Sequence, residues 1–166
     1  MSRPGLLEAF PSDKLREALA VERNAGRRVV FTNGVFDLIH PGHIRYLRQA
    51  KSFGDVLVVA LNSDESTRRL KGPARPLIPE TERVKIIAAL EMVDYVTVFS
   101  EHTPLDIIKA TEPDVLVKGG DYILDEIVGK NEVESRGGKV VTVPFIDGKS
   151  SSNVIERIVR SAQKPI

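Results

Sequence analysis

Thr32-Asn33-Gly34-Val35-Phe36-Asp37-Leu38-Ile39-His40-Pro41-Gly42-His43 is the stretch from which the rest of the chain is read. A β-branched and aromatic run, Val29 to Thr32, stops at Asn33-Gly34. An amphipathic helical pattern restarts at Pro41, so the residues between them form a loop from a strand to a helix. Proline has no N–H to leave unpaired and a φ already suited to a helix, which sets the helix start at Pro41. His40 and His43 flank that start, where unpaired backbone N–H groups and the positive end of the helix dipole attract an anion. Gly42 keeps the approach open, and the stretch reads as a phosphate site.

Three other readings compete. A His-x-x-His spacing can bind zinc, but zinc needs at least three protein ligands, and the chain offers no cysteine and no convincing third histidine. Two polar residues at a helix N-terminus explain a single histidine better than a pair. A dinucleotide fingerprint needs Gly-x-Gly-x-x-Gly after the strand, and Gly34 stands alone there.

At 166 residues the chain is expected to form one domain, residues 12–166, behind a loose arm of residues 1–11. A net charge of +1 leaves no basic field for nucleic acid. No apolar run is long enough to span a bilayer, and no signal-peptide order is visible, so a cytoplasmic protein without a membrane partner is expected. The absence of cysteine excludes disulfides, thiolate zinc sites and a cysteine nucleophile.

Along the chain, Ser12 reads as an N-cap of a lead-in helix that Gly26 stops. Ile44, Leu47 and Ala50-Lys51 continue the first core helix, with Arg45 and Arg48 facing away. Val56–Leu61, Tyr95–Phe99, Val115–Val117 and Val140–Val143 are further strands, nearly continuous in aliphatic residues. That pattern suits parallel strands covered on both faces and joined by crossover helices. The fold class is therefore α/β: a Rossmann-like, doubly wound five-stranded parallel sheet in the order three, two, one, four, five. The longest crossover runs from Asn62 through a Pro-rich loop, Gly72 to Pro79, to a helix at about Glu80 to Glu91. Thr103 reads as an N-cap paired with Asp106. Val154, Ile155, Ile158 and Val159 place the last helix on the sheet.

Such sheets bind ligands beyond the carboxyl ends of the strands, where the strand order reverses. The histidine loop after strand one and Lys118-Gly119-Gly120-Asp121-Tyr122 after strand four meet there. Gly119-Gly120 reads either as a plain turn or as backbone open to a ligand. Asp147-Gly148-Lys149-Ser150-Ser151-Ser152-Asn153 follows strand five. It imitates the end of a P-loop but has Val143 where a glycine is required. One of its serines is an N-cap, which leaves hydroxyls for phosphate or ribose. Lys71, Arg75 and Arg83 supply mobile positive charge that could close over a triphosphate. Arg83 reads equally as a solvated helix charge, which makes Lys71 the stronger candidate.

Gly34-x-Phe36-Asp37 followed by His40-x-Gly42-His43 resembles the signature of the cytidylyltransferase-like nucleotidyltransferases. From about Leu15 onward the chain is similar to one subgroup, the nucleotidyltransferase of ADP-heptose synthesis, which adenylates D-glycero-β-D-manno-heptose 1-phosphate. Thr32-Asn33-Gly34-x-Phe36-Asp37, Asn62-Ser63-Asp64, Arg69-Leu70-Lys71-Gly72, Lys118-Gly119-Gly120-Asp121-Tyr122 and Asp147-Gly148-x-Ser150 carry that likeness. Ser151 and Ser152 stand where the subgroup usually has threonines. Glycerol-3-phosphate cytidylyltransferases share the histidine motif but carry an arginine where this chain has Phe145.

The resemblance implies attack by a sugar 1-phosphate on the α-phosphorus of ATP, with pyrophosphate leaving. It implies His40, His43 and Lys71 as the catalytic groups, the histidines donating to the triphosphate and Lys71 neutralising pyrophosphate or clamping the sugar phosphate. Asn33, Gly34, Val35, Phe36, Gly42, Gly119, Asp121, Ser151 and Ser152 would join the histidines around the nucleotide. Asp37, Asp64, Arg83 and Lys118 would join Lys71 around the sugar phosphate. Mg²⁺ is expected on the nucleotide phosphates, without a protein cage. The activity is often fused to a sugar kinase; here a separate kinase would supply the sugar 1-phosphate, and a homodimer is expected. A nucleotide-binding sensor is the alternative from another class, although it would not need two histidines and Lys71 around a triphosphate.

Overall fold

The computed structural model describes residues 9–120, 123–144 and 151–162. Strands β1 (Val29–Gly34), β2 (Val56–Asn62), β3 (Tyr95–Phe99), β4 (Val115–Gly119) and β5 (Lys139–Val143) form one sheet in the order β3-β2-β1-β4-β5. All four pairings are parallel, with Val30 opposite Leu57 on one side and Val115 on the other. Fold class and strand order agree with the reading of the sequence.

Alternation of side chains along each strand gives the sheet two buried faces. Val30, Leu57, Val59, Leu61 and Val117 pack with Leu47 of α2 (Pro41–Lys51) and Ile87 of α4 (Glu80–Ala88). Val29, Phe31, Val58 and Leu116 face the other way. They meet Leu15 and Leu19 of α1 (Ser12–Asn24), Ile108 of α5 (Leu105–Thr111) and Val133 of α6 (Lys130–Glu134). Cover on both sides is why the strands read as unbroken apolar runs. Each fully buried Leu or Val contributes roughly 1.5–3 kcal/mol of burial.

Several local expectations are corrected. Ser12 is the first helical residue of α1, whose N-cap is Pro11, and Pro104 rather than Thr103 caps α5; neither end has a side-chain cap. Phe10, expected in a loose arm, is fastened to β3: its N–H donates to the Val96 carbonyl at 2.8 Å and its ring meets Tyr95 edge-on at 5.2 Å. The long crossover contains an additional helix, α3 (Asp64–Lys71), before its Pro-rich loop. The last helix, α7 (Ser151–Ala162), does not bury its apolar stripe among the described residues, since Ile158 is 56% and Val159 48% exposed. In α2, Arg45 and Arg48 do face solvent.

Candidate active site

The reversal of strand order between β1 and β4 opens a cleft of about 540 Å³. Asn33, Gly34, Val35, Phe36 and His43 form its centre. Lys118, Gly119, Val128 and Ser151 line the β4 side, and Leu70, Lys71, Arg75, His102 and Thr103 line the β2–β3 side. Most of the residues assigned to the site from sequence thus meet in one place. Asp121 and the side chain of Ser152 lie outside the described residues, as do Tyr122 and the run from Asp147 to Ser150.

At the centre, α2 begins at Pro41, and His40 is its N-cap: ring Nδ1 accepts the Gly42 N–H at 3.1 Å. This leaves the proton of a neutral His40 ring on Nε2. The ordinary role of a helix-capping residue is therefore real, and it orients the ring. His43, one turn on, stacks against His40 with centroids 3.9 Å apart and touches the Phe36 ring at 5.3 Å. Burial, with the charges of His40 and Lys71, pushes the His43 imidazole down to about 4. His43 is thus neutral near pH 7, and its buried Nδ1 has no hydrogen-bond partner among the described residues. His40 itself lines a neighbouring groove with Ile39 and Ile44 rather than the cleft wall.

Phe36 is held with φ +49°, a conformation costly for a residue with a side chain, and its ring covers Gly34. A Cβ at Gly34 would lie 2.9 Å from the Phe36 ring, so glycine is what lets the ring reach His43.

On the β4 side, the Lys118 ammonium donates to Asn33 Oδ1 across the ends of adjacent strands. Burial pushes this lysine down to about 8. A buried cation whose hydrogen-bond partner is a neutral amide is suited to an incoming phosphate. Beneath it, the Tyr46 hydroxyl meets Thr32 Oγ1 at 2.6 Å and donates to the Val117 carbonyl at 3.2 Å, tying α2 to β1 and β4. Tyr46 was not among the sequence candidates. Its spacing three residues after His43, on the same helix face, was the available signal. On the far edge, Ser151 Oγ donates to the Leu38 carbonyl at 3.2 Å and joins α7 to the histidine loop.

Three residues assigned to the substrate side are engaged with the protein itself, and of these Asp37 also lines the cleft. Arg83 is fully buried. Its guanidinium donates to the carbonyls of Val35 at 2.6 Å, Asn62 at 2.9 Å and Ile78 at 2.9 Å, and to Asp64 Oδ1 at 2.7 Å. It is neither mobile charge over a triphosphate nor a solvated helix charge; it bolts the histidine loop to β2 and α4. Asp64 serves the same joint, accepting the Glu80 N–H at 2.9 Å while its own N–H donates to Glu80 Oε2 at 2.7 Å. Asp37 is 2% exposed and accepts from the N–H groups of Leu77 and Ile78, each at 2.9 Å, and from Arg75 Nε at 2.6 Å. Burial alone would raise the Asp37 carboxyl; these donors together hold it below its ordinary range. Lys71, by contrast, is exposed on the cleft; expected in a loop, it is the last residue of α3, where Gly72 breaks the helix with φ +93°.

Among the described residues no three His, Asp or Glu side chains converge as a metal cage requires. A Mg²⁺ ion here would be held by phosphate oxygens and water, and would spread the charge of the triphosphate.

The family described as Cytidylyltransferase-like matches residues 31–157. The "Bifunctional protein HldE" of Syntrophotalea carbinolica is 57% identical over 147 residues, which cover 89% of this chain and 30% of that protein. The protein of the same name from Geobacter sulfurreducens is 57% identical over 149 residues, 90% of this chain and 30% of its own length. The chain thus spans about a third of the curated relatives it matches. The crystal structure of the lipopolysaccharide core biosynthesis protein from Thermoplasma volcanium aligns with a TM-score of 0.61 at 32% identity, over 75% of this chain and 100% of that one. No described helix is long and apolar enough to cross a membrane.

Proposed function

This chain belongs to the cytidylyltransferase-like family and is a nucleotidyltransferase; from that premise we propose that it transfers the adenylyl group of ATP to D-glycero-β-D-manno-heptose 1-phosphate, giving ADP-heptose and pyrophosphate for lipopolysaccharide or a related surface glycan. The observation that carries the choice of sugar is the 53–57% identity to HldE proteins over about nine-tenths of the chain. The name of those relatives declares two activities, and the part matched here is the nucleotidyltransferase-like part. A kinase would then furnish the sugar 1-phosphate, and a homodimer is the expected assembly.

In this reading a nonbridging oxygen of the sugar phosphate forms a bond to the α-phosphorus of ATP while the bond from that phosphorus to the α–β bridging oxygen breaks. Pyrophosphate leaves with the electron pair. The nucleophile arrives ionised, so the protein's part is orientation and neutralisation of charge rather than proton removal. The positive end of the α2 dipole, with His43, receives the triphosphate; the Gly42 and His43 N–H groups are already taken by His40, which caps that helix start from the groove beside the cleft. Lys118 lies beside them on β4, where it meets phosphate. Gly119 and Ser151 lie on the nucleotide side, and Lys71 faces the reacting phosphates from the opposite wall. Asn33, Gly34, Val35, Phe36 and Gly42 shape the floor and approach. Arg83, Asp64 and Asp37 hold the walls in register.

The test is pyrophosphate release on mixing the protein and Mg²⁺ with each nucleoside triphosphate and a panel of sugar 1-phosphates and glycerol 3-phosphate. Release with ATP and the heptose 1-phosphate supports the proposal. Release with CTP and glycerol 3-phosphate alone, or nucleotide binding without release under any pairing, would sink it.

A further inference from the structure

We infer that Arg75 grips the phosphate of the sugar acceptor and that Asp37 is the positioning residue that aims it. This rests on the adenylyl-transfer reading above and adds a residue to its acceptor side. The Arg75 side chain is 14% exposed and lines the cleft, yet Asp37 engages it only through Nε, at 2.6 Å. Nη2 is buried and has no hydrogen-bond partner among the described residues. The Asp37 carboxylate cannot turn to serve it, because the same two oxygens are occupied by the N–H groups of Leu77 and Ile78. The guanidinium is therefore held by one nitrogen, with a polar edge left over at the wall of a ligand cleft. A purely structural arginine would place its donors on protein acceptors, as Arg83 does with four partners a few residues away.

The chemistry of that edge selects an anion with paired oxygens, since a planar guanidinium forks onto phosphate with two parallel N–H···O bonds. Position selects which phosphate. Arg75 lines the cleft together with Thr103 and His102, whose hydroxyl and imidazole suit sugar hydroxyls, and Asp37 ties it to the loop that follows β1. In-line displacement at the α-phosphorus places the acceptor oxygen opposite the leaving pyrophosphate, and the triphosphate is served from the α2 end by His43. The acceptor phosphate falls to Arg75.

Steady-state kinetics of the full chain test this, run forward with ATP and D-glycero-β-D-manno-heptose 1-phosphate and in reverse with ADP-heptose and pyrophosphate. Arg75→Lys keeps the ion pair to Asp37 and loses the fork. Its KM for the heptose 1-phosphate should rise about tenfold or more, the scale of a charged bidentate contact reduced to one point. KM for ATP and for pyrophosphate should stay unchanged, as should the melting temperature. Arg75→Gln should show the same selectivity with a larger effect, and Asp37→Asn should raise KM for the sugar phosphate without moving KM for ATP. If Arg75→Gln fails to fold, Arg75→Lys alone decides. An unchanged KM for the sugar phosphate in Arg75→Lys, or a rise confined to pyrophosphate, overturns the inference while wild-type turnover leaves the proposed function standing. A wild type that does not turn over the heptose 1-phosphate with ATP overturns both.

Discussion

His40 and His43 stack with their centroids 3.9 Å apart and their planes inclined by 31°, with His43 on the cleft wall and His40 on the groove beside it. Two imidazolium rings at that distance would repel, and burial keeps His43 neutral down to about pH 4. In the proposed reaction a neutral His43 is a donor to phosphate and not a second cation. His43→Ala should lower kcat by about 10²-fold or more, the scale of losing one positioned donor, with the fold intact by circular dichroism. A near-normal kcat would remove it from the site.

The same shift fixes a stability trend. The folded pKa of His43 lies below its unfolded value of about 6.5, so its contribution is present above that value and is lost as pH falls toward about 4. Between those limits the unliganded wild type should lose stability that His43→Ala does not. Parallel pH–melting curves for the two proteins would contradict the assignment.

Lys118 should separate stability from function. Its folded pKa of about 8 lies below the unfolded value of about 10.4, so a buried charge destabilises the fold below pH 8 and is relieved as pH rises from 8 toward 10.4. Lys118→Met should therefore raise the melting temperature at pH 7, with the gain shrinking toward pH 10, while catalytic efficiency falls. A variant that is less stable at pH 7, or equally active, would show that the lysine is structural.

Arg83 should behave in the opposite way. Removing one member of a buried ion pair costs about 3–5 kcal/mol, and Arg83→Met would also strand the carbonyls of Val35, Asn62 and Ile78. Urea unfolding should show a loss on that scale. An unchanged midpoint with a selective rise in a substrate KM would return Arg83 to the site.

Gly34→Ala tests the packing behind His43. The added Cβ would crowd the Phe36 ring at 2.9 Å, and Phe36 is 6% exposed with no easy way to yield. Activity should fall through kcat with little change in nucleotide affinity. An unimpaired enzyme would show that Phe36 does not place the histidine.

The order of the strands and the place of the cleft were legible because parallel strands covered on both faces must be apolar throughout, and because Pro41 marks a helix start locally. The roles of Lys71 and Arg83 were not separable that way. Both are basic residues of one crossover, and what divides them is the set of carbonyls at Val35, Asn62 and Ile78 that tertiary packing gathers around Arg83. The protein partners of Asp37 and Asp64, the N–H groups of Leu77, Ile78 and Glu80, are likewise gathered by tertiary packing. Helix α3 escaped notice because it buries Ser66 and Thr67 rather than an apolar stripe, although Ser63 caps it at 3.1 Å in the ordinary way. In α7 the apolar stripe was present, but the structure leaves its outer half exposed.

The central claim is that the α-phosphorus of ATP is transferred to an ionised sugar phosphate, and label distribution measures it most directly. With D-glycero-β-D-manno-heptose 1-phosphate as acceptor, [α-³²P]ATP should place label in the sugar nucleotide and [γ-³²P]ATP should place it in pyrophosphate alone. Label from the γ position in the sugar product, or label from the α position recovered only as AMP whether or not the sugar phosphate is present, would contradict it.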